Sequence, residues 1–355
     1  MEKKKLVLIF LFGFLLRFYG INWDSGFHLH PDERMLIMVA EQIHFFNQLN
    51  PHFFNYGSLP IYLLKGTAQL VDLFFSSHYY SNYEGLLYVG RSLSILFDLG
   101  TIFLIYKISH LLFFKVQGLK SKVDYLSSFF YAIMFFPIQN SHFFTVDLLF
   151  TFLSTLLVYN LLLYRKKYSY KYILFIAVVF SALFATKFTA IIFLPMALLV
   201  LIISNKFSLY SILHSLFFIL SSLFFSFILM PYAFLDFSKF WADISPQLAM
   251  SKDPYIFPYT LQYVGTTPYL NYLKNIFLWG LGPIISILSL SGVLYCFINF
   301  AKKYKLQVFF LFYAFYFLSI GISTVKFMRY MFPMYPFFAI MAGFGLIKIS
   351  KYVNI

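Results

Sequence analysis

The 355-residue chain contains one cysteine, Cys296, so no internal disulfide can staple it. That residue lies inside an apolar run and reads as a small buried hydrophobe. Charge is also scarce: 11% of residues are Asp, Glu, Lys or Arg, against 61% hydrophobic and 23% aromatic. No soluble domain of this size has that balance. Acidic residues are the rarest, 13 against 27 basic, for a formal net charge of +14. Also missing are a glycine loop that cradles nucleotide phosphates, a nucleophile-elbow serine and paired cysteines with zinc spacing. Heptads, low-complexity tails and obvious short repeats are absent as well.

What remains is a succession of apolar runs about 20 residues long, the length that crosses a bilayer. Spans are expected near 6–21, 88–113, 124–139, 143–163, 171–186, 188–204, 208–230, 274–299, 306–322 and 331–348. The expected fold is therefore all-α: a polytopic membrane protein of about ten helices, with residues 1–355 forming a single domain. Lys3–Lys5 followed by Leu6 to Leu16 has the outline of a signal peptide, but no small-residue cleavage site follows, so a retained first helix is expected.

Ten spans put both termini on one side. Lys3–Lys5, Lys115, Lys120, Lys122, Arg165, Lys166, Lys167, Lys171, Lys206, Lys302, Lys303, Lys305, Lys348 and Lys351 all fall there. By the positive-inside rule that side is the cytoplasm of a multi-pass cell-membrane protein. The positive charge is then mostly a topology signal, and nucleic acid drops out as a partner; membrane lipids are the expected surroundings.

Two long outer loops follow, at about 22–87 and 231–273. In the first, Pro31 suits a first helical position, and Asp32 and Glu33 suit the first turn beside the helix dipole. Leu36, Val39, Ile43 and Phe46 form a stripe suited to lying along the membrane interface. A second apolar stretch, Ile61 to Phe75, is interrupted by Lys65 and Asp72 and reads as interfacial or re-entrant. The other outer loop is rich in Tyr, Pro and Thr.

A charged side chain costs roughly 2.5–3.5 kcal/mol at a bilayer centre on insertion scales, so the adjacent Asp32 and Glu33 belong at a surface or in a wet cavity. They are the best candidates for chemistry. Some cations run against the topology bias at outer helix ends: Arg17, Arg91, Lys187, Lys326 and Arg329. Either an outer phosphate holds them, through charge-assisted donors, or they snorkel to headgroups. Asp147 sits at the same level. Asp98, one and a half to two turns below Arg91, reads more as a helix-packing partner for a buried cation than as a catalytic group. In His28-x-His30-x-Asp32-Glu33 the histidines either orient the carboxylates or, with Asp32, hold a divalent metal. No cofactor is otherwise called for.

The order of these motifs resembles the integral-membrane glycosyltransferases of the C superfamily, in the branch of protein O-mannosyltransferases and aminoarabinose transferases. The resemblance runs through Leu16-Arg17-Phe18-Tyr19-Gly20, His30-Pro31-Asp32-Glu33, Tyr56-Gly57-Ser58-Leu59-Pro60 and Gly90-Arg91-Ser92-Leu93-Ser94. It continues with Asp147, Thr186-Lys187 and Arg329-Tyr330-Met331-Phe332-Pro333. It implies a polyprenyl-phosphate sugar donor bound from the outer leaflet, Asp32 as catalytic base and basic residues on the carrier phosphate; the acceptor is not implied. Glu33 is read as its positioning partner or a secondary acidic group, Arg91, Lys187, Lys326 and Arg329 as phosphate ligands, Asp147 as part of the substrate site, and Tyr263 and Tyr269 either as sugar contacts or as structural loop residues. A lipid or solute transporter is the rival reading, although transporters place their charges at mid-membrane. A non-catalytic scaffold gives the outer carboxylates no purpose.

Overall fold

The computed structural model describes residues 2–45, 47–113, 122–164, 167, 169–204, 208–298 and 303–352. Among them there is no β-strand. Helices α1 (Glu2–Phe18), α4 (Tyr83–Phe113), α5 (Lys122–Ile133), α7 (Val146–Tyr164), α8 (Tyr170–Phe184), α9 (Phe193–Ser204), α10 (Leu209–Leu229), α14 (Pro283–Ile298), α15 (Tyr304–Gly321) and α16 (Tyr335–Tyr352) build the bundle. The first outer loop folds into α2 (Pro31–Glu41) and α3 (Leu59–Phe75). The short α6 (Phe135–Asn140) follows α5, and α11 (Tyr232–Leu235), α12 (Phe237–Met250) and α13 (Leu270–Asn275) form the second loop. Five helical stretches, 83–113, 146–164, 209–229, 304–321 and 328–350, are each long and apolar enough to cross a membrane, and three shorter ones are apolar. The protein is a multi-pass, all-α membrane protein.

Several boundaries differ from the hydropathy reading for local reasons. The run 124–139 breaks at Met134, where Pro137 withholds the N–H that would have bonded Ile133, ending α5 there. The carbonyl of Ala132 freed at that break accepts a hydrogen bond from Arg17 at 2.9 Å. The run 274–299 is broken too: a π-helical turn over Ile276–Gly280 leads to Gly282, whose φ of +79° glycine tolerates, before α14 starts at Pro283. Lys115, Lys120, Arg165, Lys166, Lys206, Lys302 and Phe46 lie outside the described residues.

The main core lies among α5, α7, α8, α9, α15 and α16, with residues such as Leu157, Phe193, Phe309 and Ile340 fully buried. A second core belongs to the first outer loop: Leu36, Val39 and Ile43 of α2 pack against Ile61, Leu64 and Ala68 of α3 and Leu86 and Leu87 of α4. The α2 stripe therefore faces protein, not the membrane interface as its periodicity alone predicts. Lys65 and Asp72 of α3 bind backbone groups, Lys65 at the carbonyls of Glu41 and Ser81, Asp72 at the N–H groups of Tyr80 and Ser81. The loop that holds α2 and α3 is thus a folded platform.

Candidate active site

Residue His30 is extended and caps α2: its Nδ1 accepts the Glu33 N–H at 3.4 Å, and its ring stacks on Phe143 at 4.4 Å. Burial pushes its pKa down to about 4, with the charges of Arg329 and Arg91 acting in the same direction. Pro31 fixes the first helical position, so Asp32 and Glu33 occupy the first turn side by side.

Their side chains go to different places. Glu33 turns inward and is fully buried. Its Oε1 accepts the Phe144 N–H at 2.7 Å and Arg91 Nε at 3.0 Å, and its Oε2 accepts Arg91 Nη2 at 2.8 Å. The guanidinium also donates to both oxygens of Asp24, at 2.9 and 2.8 Å, and to the Ile21 carbonyl at 2.7 Å. All five N–H donors of Arg91 are thereby occupied, leaving none for a phosphate. Arg17 behaves similarly: its Nε donates to Asp98 at 2.6 Å, and Asp98 also accepts the Tyr131 hydroxyl at 2.6 Å. The buried cation that Asp98 holds is Arg17 of α1. Arg17 and Arg91 lock the first helix and the first outer loop to α4.

Asp32 turns the other way and meets Arg329 Nη1, with the two side chains 23% and 27% exposed. Arg329 lies on a 3-10 turn, Met328–Met334, its guanidinium 5.0 Å from the Phe327 ring centre. The backbone before and within this turn is pinned. Tyr272 and Tyr316 hydroxyls hold the Val325 and Tyr330 carbonyls, and Thr324 bonds the Ser251 carbonyl at the end of α12. Among the described residues Asp32 is the sole hydrogen-bond partner of Arg329.

Beside this pair stands a second one. Lys187, at the break after α8, bonds Asp147 at 2.9 Å and lies 4.9 Å above the ring of Tyr330, the residue after Arg329. The Tyr56-Gly57 turn reaches this break because Gly57 N–H bonds the Thr186 carbonyl at 3.1 Å and Leu59 N–H bonds that of Ala185 at 3.0 Å. A Cβ at position 57 would strike the Ala185 carbonyl. Tyr56 is held close to Asp147 and Tyr330, and burial together with the Asp147 charge raises its phenol pKa well above the ordinary value. Tyr263 packs edge-on against Phe327 at 5.1 Å, with its pKa pushed up to about 12 by burial and by Tyr330.

Lys326 and Tyr269 have backbone partners. Lys326 is buried, donates to the Thr324 carbonyl at 2.7 Å and has no carboxylate partner among the described residues; burial lowers its pKa. Tyr269 is a loop anchor: its N–H bonds the Gly321 carbonyl, its hydroxyl bonds Leu318 at 3.2 Å, and its ring lies on Gly321. The histidine pattern does not converge on Asp32, since His28 stacks on Tyr83 at 4.1 Å while His30 faces Phe143. Among the described residues no three His, Cys, Asp or Glu side chains gather as a metal site.

A family model of dolichyl-phosphate-mannose-protein mannosyltransferases matches residues 87–233, from α4 to α11. The apo oligosaccharyltransferase of Archaeoglobus fulgidus superposes over 100% of this chain and 51% of its own, at TM-score 0.64 and 14% identity. The two proteins share a fold. The same fold is seen in AglB of Archaeoglobus fulgidus with an inhibitory peptide and a dolichol-phosphate (99% of this chain, 51% of that one, TM-score 0.63, 12% identity). ArnT of Cupriavidus metallidurans bound to undecaprenyl phosphate matches 99% of this chain and 60% of its own, at TM-score 0.64 and 13% identity. The chain thus spans about half the length of the first of these. No curated protein matches it in sequence.

Sequence reasoning missed Asp24, Tyr56 and Tyr330 as members of the charged clusters. Tyr56 and Tyr330 do stand inside the motifs that carried the resemblance, each one residue from a group singled out there, Gly57 and Arg329. Asp24 had no such signal beyond lying on the outer side.

Proposed function

We propose that this chain transfers a sugar from a polyprenyl-phosphate-linked donor to an acceptor hydroxyl at the outer face of the membrane, with Asp32 as base and inversion at the anomeric carbon. The observation that carries the reading is the facing of an accessible carboxylate, Asp32, and a cation with four of its five donors unoccupied, Arg329. Fold-mates that bind dolichol-phosphate and undecaprenyl phosphate support a lipid-phosphate donor.

Each group has a task. The carboxylate is too weak, at an ordinary pKa of about 3.9, to ionise an alcohol beforehand. It accepts the hydroxyl proton late, as the bond to the sugar forms, and its charge stabilises the oxocarbenium-like centre. The departing phosphate carries the displaced charge toward Arg329 and Lys187, each worth about 2.7–4 kcal/mol by analogy with one oxyanion donor. Asp147 holds Lys187 in place, and Lys326, three residues before Arg329 and bonded to the Thr324 carbonyl, adds a third positive charge. Tyr263 covers the sugar and excludes water. Glu33 acts through position: with Arg91 it sets the rotation of α2 that presents Asp32.

Membranes incubated with a labelled polyprenyl-phosphate sugar test the reading. Label leaves the donor pool covalently with the wild type and stays there with Asp32→Asn. Label that crosses the bilayer without transfer would instead make the protein a flippase.

A further inference from the structure

We infer that the Asp32–Arg329 ion pair is a donor-operated latch, in which the carrier phosphate draws the guanidinium off the carboxylate and so unmasks the base only when a donor is bound. The inference rests on the reading above, taking Asp32 as base and Arg329 as a phosphate ligand. A carboxylate oxygen already held by a guanidinium is a poor proton acceptor, so the pair as it stands is an idle state of the site.

The geometry says which partner wins. Arg329 gives Asp32 a single N–H, from Nη1 to Oδ2. Arg91, by contrast, meets Glu33 with two N–H groups and Asp24 with two more. A phosphate with two free oxygens can take the guanidinium fork with both, which the single contact to Asp32 does not match. Both side chains of the pair are about a quarter exposed, so the carboxylate loses its partner to water and to an acceptor hydroxyl, not to a dry interior. Phe327 beneath the guanidinium offers a surface on which it can slide without losing its stacking contact. Lys187 stands across Tyr330 to receive the same phosphate, and its own carboxylate partner, Asp147, is separate from Asp32. An empty site therefore keeps its base neutralised, which limits wasteful activation of water.

The test is the binding of undecaprenyl phosphate to the purified full chain in detergent, with undecaprenol as the phosphate-free control. Asp32→Asn releases Arg329 from its carboxylate, so the carrier should bind about fivefold more tightly than to the wild type. Arg329→Ala should weaken binding, and the double variant should bind like Arg329→Ala alone. A gain from Asp32→Asn that persists without Arg329 means simple charge repulsion and overturns the latch. No gain from Asp32→Asn overturns it as well, while weakened binding by Arg329→Ala in the same series leaves the phosphate assignment standing. Wild-type affinity in Arg329→Ala removes the phosphate assignment itself. Should Arg329→Ala fail to fold, Arg329→Gln, which keeps a polar head and loses the charge, replaces it in the cycle with the same expected directions.

Discussion

Two arginines that bond adjacent carboxylates of α2, Arg91 at Glu33 and Arg329 at Asp32, do opposite work. Arg91 has both terminal nitrogens and Nε bonded to Asp24, Glu33 and a backbone carbonyl, and none of the three side chains is appreciably exposed. Arg329 has one carboxylate contact and, among the described residues, no other hydrogen-bond partner. Both run against the positive-inside bias, so topology alone does not tell them apart. The count of unoccupied donors does: a cation with every N–H taken is part of the scaffold, and one with donors to spare is available to a ligand.

The sharpest way to break this contrast is at the carboxylates. Asp32→Asn should lower sugar transfer by about 10²–10⁴-fold, the range for removal of a general base, with an unchanged melting temperature. Near-normal turnover would end the assignment. Arg91→Ala should act on the fold: it leaves two buried carboxylates unpaired and costs about 3–5 kcal/mol of stability, read as loss of monodisperse protein or a large drop in melting temperature. If Arg91→Ala is stable yet inactive, Arg91 belongs with the site after all. Arg329→Ala should show the mirror pattern, about 10²–10³-fold in rate with little change in stability.

A smaller effect is expected from pH. The folded-state pKa of His30 lies near 4, below its ordinary 6.5, so the neutral cap contributes fully above about 6.5 and its contribution is lost as pH falls toward 4. The melting temperature should decline over that window in the wild type and less in His30→Asn, which keeps a capping acceptor. Equal slopes in both would mean another group governs acid sensitivity. The smallest effect belongs to Tyr269→Phe: about 0.5–1.5 kcal/mol of stability for its hydrogen bond to Leu318, with kinetics intact. A changed KM there would return Tyr269 to the sugar site.

Hydropathy made α4, α7, α10, α15 and α16 legible, because an apolar run of that length has few other uses. It misread α2. Leu36, Val39 and Ile43 have the spacing of an amphipathic helix, and spacing cannot say whether lipid or another helix covers the stripe; here α3 and α4 do. The α5–α6 and α13–α14 breaks were hidden for a similar reason, since hydropathy averages over a kink. The site was legible in part. Asp32 and Arg329 could be named from charges in unexpected places, yet nothing in their separation of nearly 300 positions announces that they touch. The roles of Glu33 and Arg91 were the hardest to read, because a buried charge and a ligand-binding charge look the same until their partners are counted.

The strap that carries Arg329 is tied down on either side of it, by Tyr272 at Val325 and by Tyr316 at Tyr330. Its main chain has little room to travel, so whatever the guanidinium does it does by turning its own side chain. Rotamer changes of accessible side chains take picoseconds to nanoseconds, whereas enzymes commonly turn over about 1–10³ times per second. The exchange at Arg329 would therefore be a clock running far ahead of the chemistry, and the slow beat of the cycle has to be set by something larger.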